Sequence, residues 1–160
     1  MKITVDWQDP ILLFKNRREW YEKETISEIR NIPGVYYFAR EFGESSYPFY
    51  IGETLTLQSR LKQHLKSIDI VDALRGNKTE RTKTIAHGAR YFHYGYLQGN
   101  PQDKKKRLKI IQKLLITDAL SNNLPLLNKH GTLVTTHEIQ FTGSKAGRGM
   151  YSKTSNIAAK

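Results

Sequence analysis

The spacing of apolar and polar residues predicts three β-strands. Two of them, Gly34–Phe38 and Phe49–Gly52, are short runs of aromatic and β-branched residues bounded by proline or glycine. The third, Ala89–Leu97, is rich in aromatic residues and ends just before Gly99. The polar segment Arg40–Pro48, between the first two strands, is predicted to be a hairpin loop.

Apolar residues three or four positions apart predict two helices that follow these strands. The first covers residues 55–65, and Arg60 and His64 lie one turn apart on it, so their side chains project from a common face. The second begins in a cluster of basic residues at Lys104 and ends near Asn122. Because lysines at the start of a helix oppose its dipole, the basic cluster is not explained by helix stability.

These elements fit one domain that covers residues 1–142, with an N-terminal supporting segment over residues 1–32. Residues 67–88 are polar, cationic and interrupted by glycine, which predicts a basic surface insertion. Residues 143–160 contain glycines and cations with no acidic residue, which predicts a basic C-terminal tail.

Within the supporting segment, Asn16 predicts the cap of a helix from Arg17 to Lys23. Trp20 would lie on the buried side of that helix. Trp7 is likewise interpreted as a packing residue rather than a ligand contact.

The charge of the chain indicates its class of partner. The sequence carries 26 basic and 15 acidic residues, for a net charge of +11. Such an excess favours a polyanion, because neutralising phosphates releases condensed counterions. A membrane partner is not expected, since no basic segment has a clean apolar face and no apolar run approaches the ~20 residues of a spanning helix.

The absence of cysteine limits the chemistry and indicates a compartment. With no cysteine, the chain has no disulfide, no thiolate zinc site and no cysteine nucleophile. Residues 1–6 lack the apolar core of a signal peptide. An intracellular, cytoplasmic location is therefore expected.

Two tripeptides and the helix behind them resemble the signatures of the GIY-YIG nuclease family. Gly34-Val35-Tyr36 matches the first signature, and Tyr50-Ile51-Gly52 matches the second. The family follows its second signature with an arginine and, four residues later, a histidine, as Arg60 and His64 do here. The resemblance implies an α/β (α+β) fold with a small, mainly antiparallel three-stranded sheet flanked by helices.

The resemblance also implies a role for each of five residues. Tyr36 and Tyr50 would flank the scissile phosphate, and Arg60 would stabilise its charge. His64 would position Tyr36 or share the proton transfer, which leaves open whether a tyrosine or the histidine is the general base. Asn128 would brace the site.

The resemblance implies one metal ion, Mg²⁺ or Mn²⁺, held by a glutamate on the second helix. Gln112 occupies that position here, because Leu115-Ile116 follow it as they follow the family's glutamate. A shorter family spacing counted back from Asn128 points instead to Ile116, one turn further along. Asp118 is turned about 200° from Ile116 around the helix. Gln112 is the preferred position, and an amide there should bind the metal weakly or not at all.

These residues lead to two hypotheses. The first is a metal-dependent DNA endonuclease, such as a restriction-type enzyme, in a catalytically disarmed form. The alternative is a naturally inactive nucleic-acid-binding module that uses the same cleft. Double-stranded DNA is the expected partner, and a homodimer would be the simplest way to cut both strands. The basic residues expected to contact DNA are Lys62, Lys78, Arg81, Lys83, Lys104, Lys105, Lys106, Lys145 and Arg148.

Overall fold

The fold is mixed α+β and is built on one six-stranded antiparallel sheet. It is described by a computed structural model that covers residues 1–128, 136–140, 142 and 154–158. The strands of the sheet are β1 (Val5–Trp7), β2 (Ile11–Lys15), β3 (Arg18–Glu19), β4 (Gly34–Phe42), β5 (Ser45–Thr54) and β6 (Ala89–Leu97). The helices are α1 (Lys23–Glu28), α2 (Leu57–His64), α3 (Ile68–Arg75) and α4 (Lys104–Ser121).

The three predicted strands are neighbours in this sheet, but the prediction of only three strands was wrong. The order is β3-β2-β6-β4-β5, and β1 also pairs with β6. The additional strands β1, β2 and β3 are two to five residues long. Strands this short contain too few residues for an alternating pattern to stand out.

Two local predictions fail because tight turns replace the expected elements. β4 and β5 continue through most of the predicted 40–48 loop, to the pair Phe42↔Ser45, and Gly43 adopts a positive φ of 56° at the turn. Asn16 and Arg17 form the turn between β2 and β3, with φ values of 51° and 66°. The predicted helix over residues 17–23 is therefore absent, and α1 begins at Lys23.

The sheet separates two layers of helices. One face packs against α1, α2 and α3 through a core that includes Phe38, Leu61 and Leu74. The other face packs against α4, where Val35 meets Leu108 and Ile51 meets Ile116. Because side chains alternate along a strand, Tyr36 and Val35 point to opposite layers.

A β-bulge changes this alternation in β5. Phe38 pairs with Tyr50 and Ala39 pairs with Pro48, so Phe49 is the extra residue. Phe49 is fully buried in the core on the α2 side, and Tyr50 packs against the same core. The bulge thus lets two consecutive aromatic side chains lie on one side of the sheet.

Residues 67–88 are part of the fold rather than a surface insertion. α3 lies within them and buries Ile70, Ala73 and Leu74. Arg90 is 1% exposed and ties the end of the segment together. Its guanidinium donates hydrogen bonds to four backbone carbonyls, at Ala73, Ile85, His87 and Gly88.

The C-terminal part is described only in short pieces. Strands β7 (Thr136–Gln140) and β8 (Thr154–Ala158) form an antiparallel pair, and β8 lies beside α4. The rest of the predicted basic tail lies outside the described residues. Within the described ranges, none of the helices combines the length and the apolar character needed to cross a membrane.

Candidate active site

Tyr36 and His64 form a buried hydrogen bond at the centre of the predicted site. Tyr36 lies in the middle of β4 and His64 in the last turn of α2, and their side chains are 2% and 8% exposed. The tyrosine hydroxyl oxygen is 2.7 Å from Nε2 of the imidazole. Since Nε2 is engaged, Nδ1 is the ring nitrogen left to exchange a proton with a bound molecule.

Gly52 makes room for the ring of Tyr36. The two residues are partners across the β4–β5 pair. A Cβ at residue 52 would lie 2.3 Å from the Tyr36 hydroxyl oxygen, a distance that no side chain tolerates. The glycine of the second signature is therefore required by the position of the tyrosine of the first.

Tyr50 completes an aromatic cluster around His64. Its ring centroid is 5.1 Å from that of His64, in an edge-on arrangement, and 6.4 Å from that of Tyr36. Tyr50 is less buried than Tyr36, and the bulge at Phe49 sets the face to which it belongs. The structure thus brings Tyr36, Tyr50 and His64 together.

A cleft of about 310 Å³ lies beside this cluster. We call it the central cleft. Tyr36 does not line it, but His64 and Tyr50, which Tyr36 contacts, both do. The residues that line the central cleft are Tyr50, His64, Ser67, Asp69, Ile70, Arg81, Gln112, Leu127 and Asn128.

Burial determines the protonation state of the cluster. Desolvation, aided by the positive charge of Arg60, lowers the pKa of His64 from 6.5 to about 4. Desolvation and the neighbouring Tyr50 raise the pKa of Tyr36 well above 10.0. Burial also raises the pKa of Tyr50, while Arg60 acts in the opposite direction. All three groups are therefore neutral at pH 7.

Arg60 lies outside the central cleft, on the adjoining surface of α2. Its Nη1 donates a hydrogen bond of 2.9 Å to Oε1 of Gln63. It lines a shallow groove with Lys62 and Lys66, which are both exposed. Arg60 lies one turn before His64 on α2, and its positive charge helps to lower the pKa of His64.

Asn128 binds the outer edge of β5. Its Oδ1 accepts a 3.0 Å hydrogen bond from the backbone N–H of Ile51, and its Nδ2 donates a 2.6 Å hydrogen bond to the carbonyl of the same residue. Next to it, the N–H of Leu127 donates to the carbonyl of Phe49 at 2.7 Å. The predicted bracing role of Asn128 thus corresponds to an amide that pairs with an edge strand as a neighbouring strand would.

Gln112 uses its donor group, which a carboxylate lacks. Its Nε2 donates a 3.2 Å hydrogen bond to the carbonyl of Ile51, the acceptor that Asn128 also uses. Among the described residues, no three histidine or carboxylate side chains form a group that could hold a metal ion. Gln112 itself offers a metal ion no charged oxygen, whereas Mg²⁺ prefers carboxylate oxygens.

The structure adds Asp69 and Arg81 to the central cleft. They form an ion pair of 3.2 Å, with side chains that are 57% and 48% exposed. Arg81 also donates a hydrogen bond to the carbonyl of Leu127. Sequence reasoning missed Asp69, because residues 67–88 were interpreted as an insertion. The available signal was its position five residues after His64, at the start of a helix.

The basic residues predicted to contact DNA lie on several surfaces. Lys62 lies beside Arg60, and Arg81 lines the central cleft. Lys83 forms an ion pair with Glu80, and Lys78 lines a different cleft. The first turn of α4 carries Lys104, Lys105 and Lys106 on the opposite side of the sheet from His64. Lys145 and Arg148 lie outside the described residues.

Comparison of the chain with protein-family models, with curated proteins and with solved structures found no match. The resemblance to the GIY-YIG family therefore stays a prediction from the motifs. What this site could do chemically depends on the contacts of Tyr36, His64, Gln112 and Asn128.

Proposed function

We propose that this protein is a DNA endonuclease of the GIY-YIG type that lacks its metal-binding carboxylate. The observation that carries the proposal is the buried hydrogen bond between Tyr36 and His64. The two residues lie 28 positions apart, on a strand and a helix, and His64 lines the central cleft together with Tyr50. Core packing alone does not require that an imidazole at the cleft wall be held by a buried hydroxyl.

The neutral residues of the cluster suit a proton relay. If Nε2–H of His64 donates to the Tyr36 oxygen, Nδ1 can accept a proton from a water in the cleft. The imidazolium that forms is stabilised by the Tyr36 oxygen and by the negative charge of a phosphate in the cleft, which offset the burial that lowers the pKa of His64. The leaving oxygen takes its proton from water. Tyr36 remains protonated throughout, since its raised pKa opposes ionisation.

Arg60 and its neighbours supply the positive charge. A guanidinium offers a planar fork of donors to phosphate oxygens, whereas an ammonium is a point charge. Because Arg60 precedes His64 by one turn of α2, a DNA backbone in the groove with Arg60, Lys62 and Lys66 would pass near His64. The net charge of +11 supports the same partner.

The chain as it stands is expected to cleave DNA weakly or not at all. In-line displacement at the phosphorus of a phosphodiester builds up negative charge, which a metal ion normally neutralises. Gln112 offers no charge, and its donor is already bonded to Ile51. We therefore assign binding and orientation of DNA to this sequence, with hydrolysis dependent on a carboxylate at residue 112.

The second candidate is a protein that only binds nucleic acid, and one specific observation favours it. A carboxylate in the place of the Gln112 amide would set an oxygen about 3.2 Å from the carbonyl oxygen of Ile51, where the two would repel. Gln112 therefore fits its surroundings better than glutamate does. A natural glutamine is the simplest origin of such a fit.

The substitution Gln112→Glu separates the two candidates. Purified variant and parent are incubated with supercoiled plasmid and either Mg²⁺ or Mn²⁺, and nicked and linear products are followed on a gel. The endonuclease proposal predicts cleavage by Gln112→Glu that requires the metal ion and disappears when His64→Ala is added. The control is Leu114→Glu, which adds one negative charge at an exposed position on the same helix.

The outcomes assign the function without overlap. Cleavage by Gln112→Glu but not by Leu114→Glu supports the endonuclease. An inactive Gln112→Glu variant that is folded and still binds DNA supports the binding protein. Failure of both variants and of the parent to bind DNA would overturn both candidates.

A further inference from the structure

A second cleft lies away from the central cleft, and neither Tyr36 nor His64 lines it. It has a volume of about 660 Å³ and lies where the β2–β3 turn, the β4–β5 turn and the end of α3 meet. We call it the hairpin cleft. The two clefts lie at opposite ends of α3, since Asp69 lines the central cleft and Arg75 lines the hairpin cleft.

The wall of the hairpin cleft carries an excess of positive charge. Lys15, Arg17, Arg75 and Lys78 line it, and all four are exposed. None of them forms an ion pair with another described residue. The only carboxylate in the wall is Glu41, which is already 2.7 Å from Nε2 of His93. Like charges that face one concavity repel each other, and an anionic ligand removes that cost.

Aromatic groups lie among these cations. Phe42 lines the cleft with 43% of its surface exposed, and the half-buried Tyr91 also lines it. Phe42 is held in place from two sides. Its ring centroid lies 6.2 Å from that of Tyr47, and the guanidinium of Arg40 lies over the ring at 5.6 Å from its centroid.

We infer that the hairpin cleft binds single-stranded nucleic acid. Lys15, Arg17, Arg75 and Lys78 would contact successive phosphates, and Phe42 would stack on a base. Cations that follow a backbone together with an exposed aromatic ring are the recognition chemistry of single strands, because every base presents a flat face. The four cations come from two separate segments, the β2–β3 turn and the end of α3, which suits an extended backbone better than a single phosphate group. A duplex does not expose its base faces and would not use Phe42.

This inference does not depend on the proposed nuclease chemistry, so the two can fail separately. A strand bound here would be held at one end of α3 while the central cleft lies at the other end. The expected role is therefore to grip an unpaired segment next to DNA that occupies the central cleft.

The test measures binding of fluorescein-labelled dT12 by anisotropy, over a range of salt concentrations. In the variant Arg75→Gln/Lys78→Gln, which changes two exposed side chains, we expect affinity to fall about tenfold. The slope of log K against log salt should become shallower by about 1.4, since each phosphate contact to a single strand contributes ~0.7. The matched control Lys109→Gln/Lys113→Gln removes two exposed charges from the other side of the sheet. Its change in the slope of log K against log salt should be less than half the change seen in Arg75→Gln/Lys78→Gln.

Two further arms identify the ligand. Phe42→Leu keeps the apolar contact but removes the ring, and it should weaken dT12 binding at least fivefold, as loss of one stacked base does. A blunt 12-base-pair duplex and dTMP serve as competitors, and neither should displace dT12 efficiently. Equal losses in the two double variants, an unchanged affinity of Phe42→Leu, or efficient displacement by the duplex or by dTMP would each overturn the inference.

Discussion

The hydroxyl group of Tyr36 occupies the space in which any residue other than glycine at position 52 would place its Cβ. Tyr36 and Gly52 are direct partners in the β4–β5 pair. A Cβ at residue 52 would lie 2.3 Å from the hydroxyl oxygen of Tyr36, far below van der Waals contact. The two signatures of the sequence are therefore not independent. The second provides the gap through which the tyrosine of the first reaches His64.

Replacement of Gly52 by alanine should dislodge Tyr36. Because the alanine Cβ and the phenol cannot coexist, we expect a loss of ~2–4 kcal/mol in the free energy of unfolding, from overpacking and from the lost hydrogen bond to His64. Urea denaturation measures this loss. The control Glu53→Ala changes the neighbouring residue on the other side of the strand. Equal stability of Gly52→Ala and the control would show that β5 adapts at little cost.

Acid should destabilise the fold through His64. The folded-state pKa of about 4 lies below the ordinary value of 6.5, so the unfolded chain binds more protons between these pH values. The contribution of His64 to the free energy of unfolding is therefore fully present above about pH 6.5 and is lost as the pH falls toward 4. Between pH 7 and pH 5 we expect His64 to account for a loss of ~2 kcal/mol.

The measurement compares the parent with His64→Gln at each pH, which removes the contribution of the carboxylates. The stability advantage of the parent should shrink as the pH falls. In parallel, the carbon-bound protons of the His64 ring should titrate below pH 5 in NMR spectra. A His64 that titrates near 6.5 would mean that the imidazole is in contact with bulk water.

Asn128→Asp should be destabilising at neutral pH and should recover in acid. The carboxylate would still accept the hydrogen bond from the N–H of Ile51, but it would face the carbonyl oxygen to which Nδ2 now donates at 2.6 Å. We expect a loss of ~1–3 kcal/mol at pH 7. Protonation restores a donor, so the difference from the parent should narrow as the pH approaches about 4.

Thermal unfolding of Asn128→Asp, Asn128→Ala and the parent over this pH range checks the expectation. Asn128→Ala has no group that titrates, so its difference from the parent should stay constant. A constant difference for Asn128→Asp as well would mean that water, rather than the side chain, satisfies the edge of β5.

Arg60→Lys should impair cleavage far more than binding. In the Gln112→Glu background, the substitution keeps the charge but loses the planar fork, so DNA affinity should be largely retained while cleavage falls by ~10²-fold. Lys62→Gln, in the same groove, should do the reverse by weakening binding and sparing the rate at saturating DNA. Equal losses in binding and rate for Arg60→Lys would reduce Arg60 to a ground-state phosphate contact.

The sequence predicted the main helices and strands where the apolar pattern is long or is clearly bounded by glycine or proline. The long helix beginning at Lys104 and the aromatic strand Ala89–Leu97 appear as expected. The pairing of Tyr36 with His64 could be anticipated from the motifs. The bulge at Phe49 could not, because it depends on how β5 registers with β4.

The missed features share a dependence on tertiary contacts. α3 was overlooked because its polar surroundings hide the few side chains that it buries, such as Ile70 and Leu74. The hydrogen bond of Gln112 to Ile51 was also beyond prediction, since it joins residues 61 positions apart. Arg90 is the most buried charged side chain among the described residues, and no sequence pattern predicts this, because its partners are backbone carbonyls.

The hydrogen bonds along β5 also bear on how this protein behaves in concentrated solution. An exposed edge strand can template the addition of a strand from another molecule, which leads to aggregation. Here Pro48 has no N–H to offer, Leu127 occupies the carbonyl of Phe49, and Asn128 occupies both polar groups of Ile51. The opposite side of the sheet ends in two short strands, β1 of three residues and β3 of two. The β5 edge, which carries Tyr50, is thereby protected against the addition of a strand from another molecule.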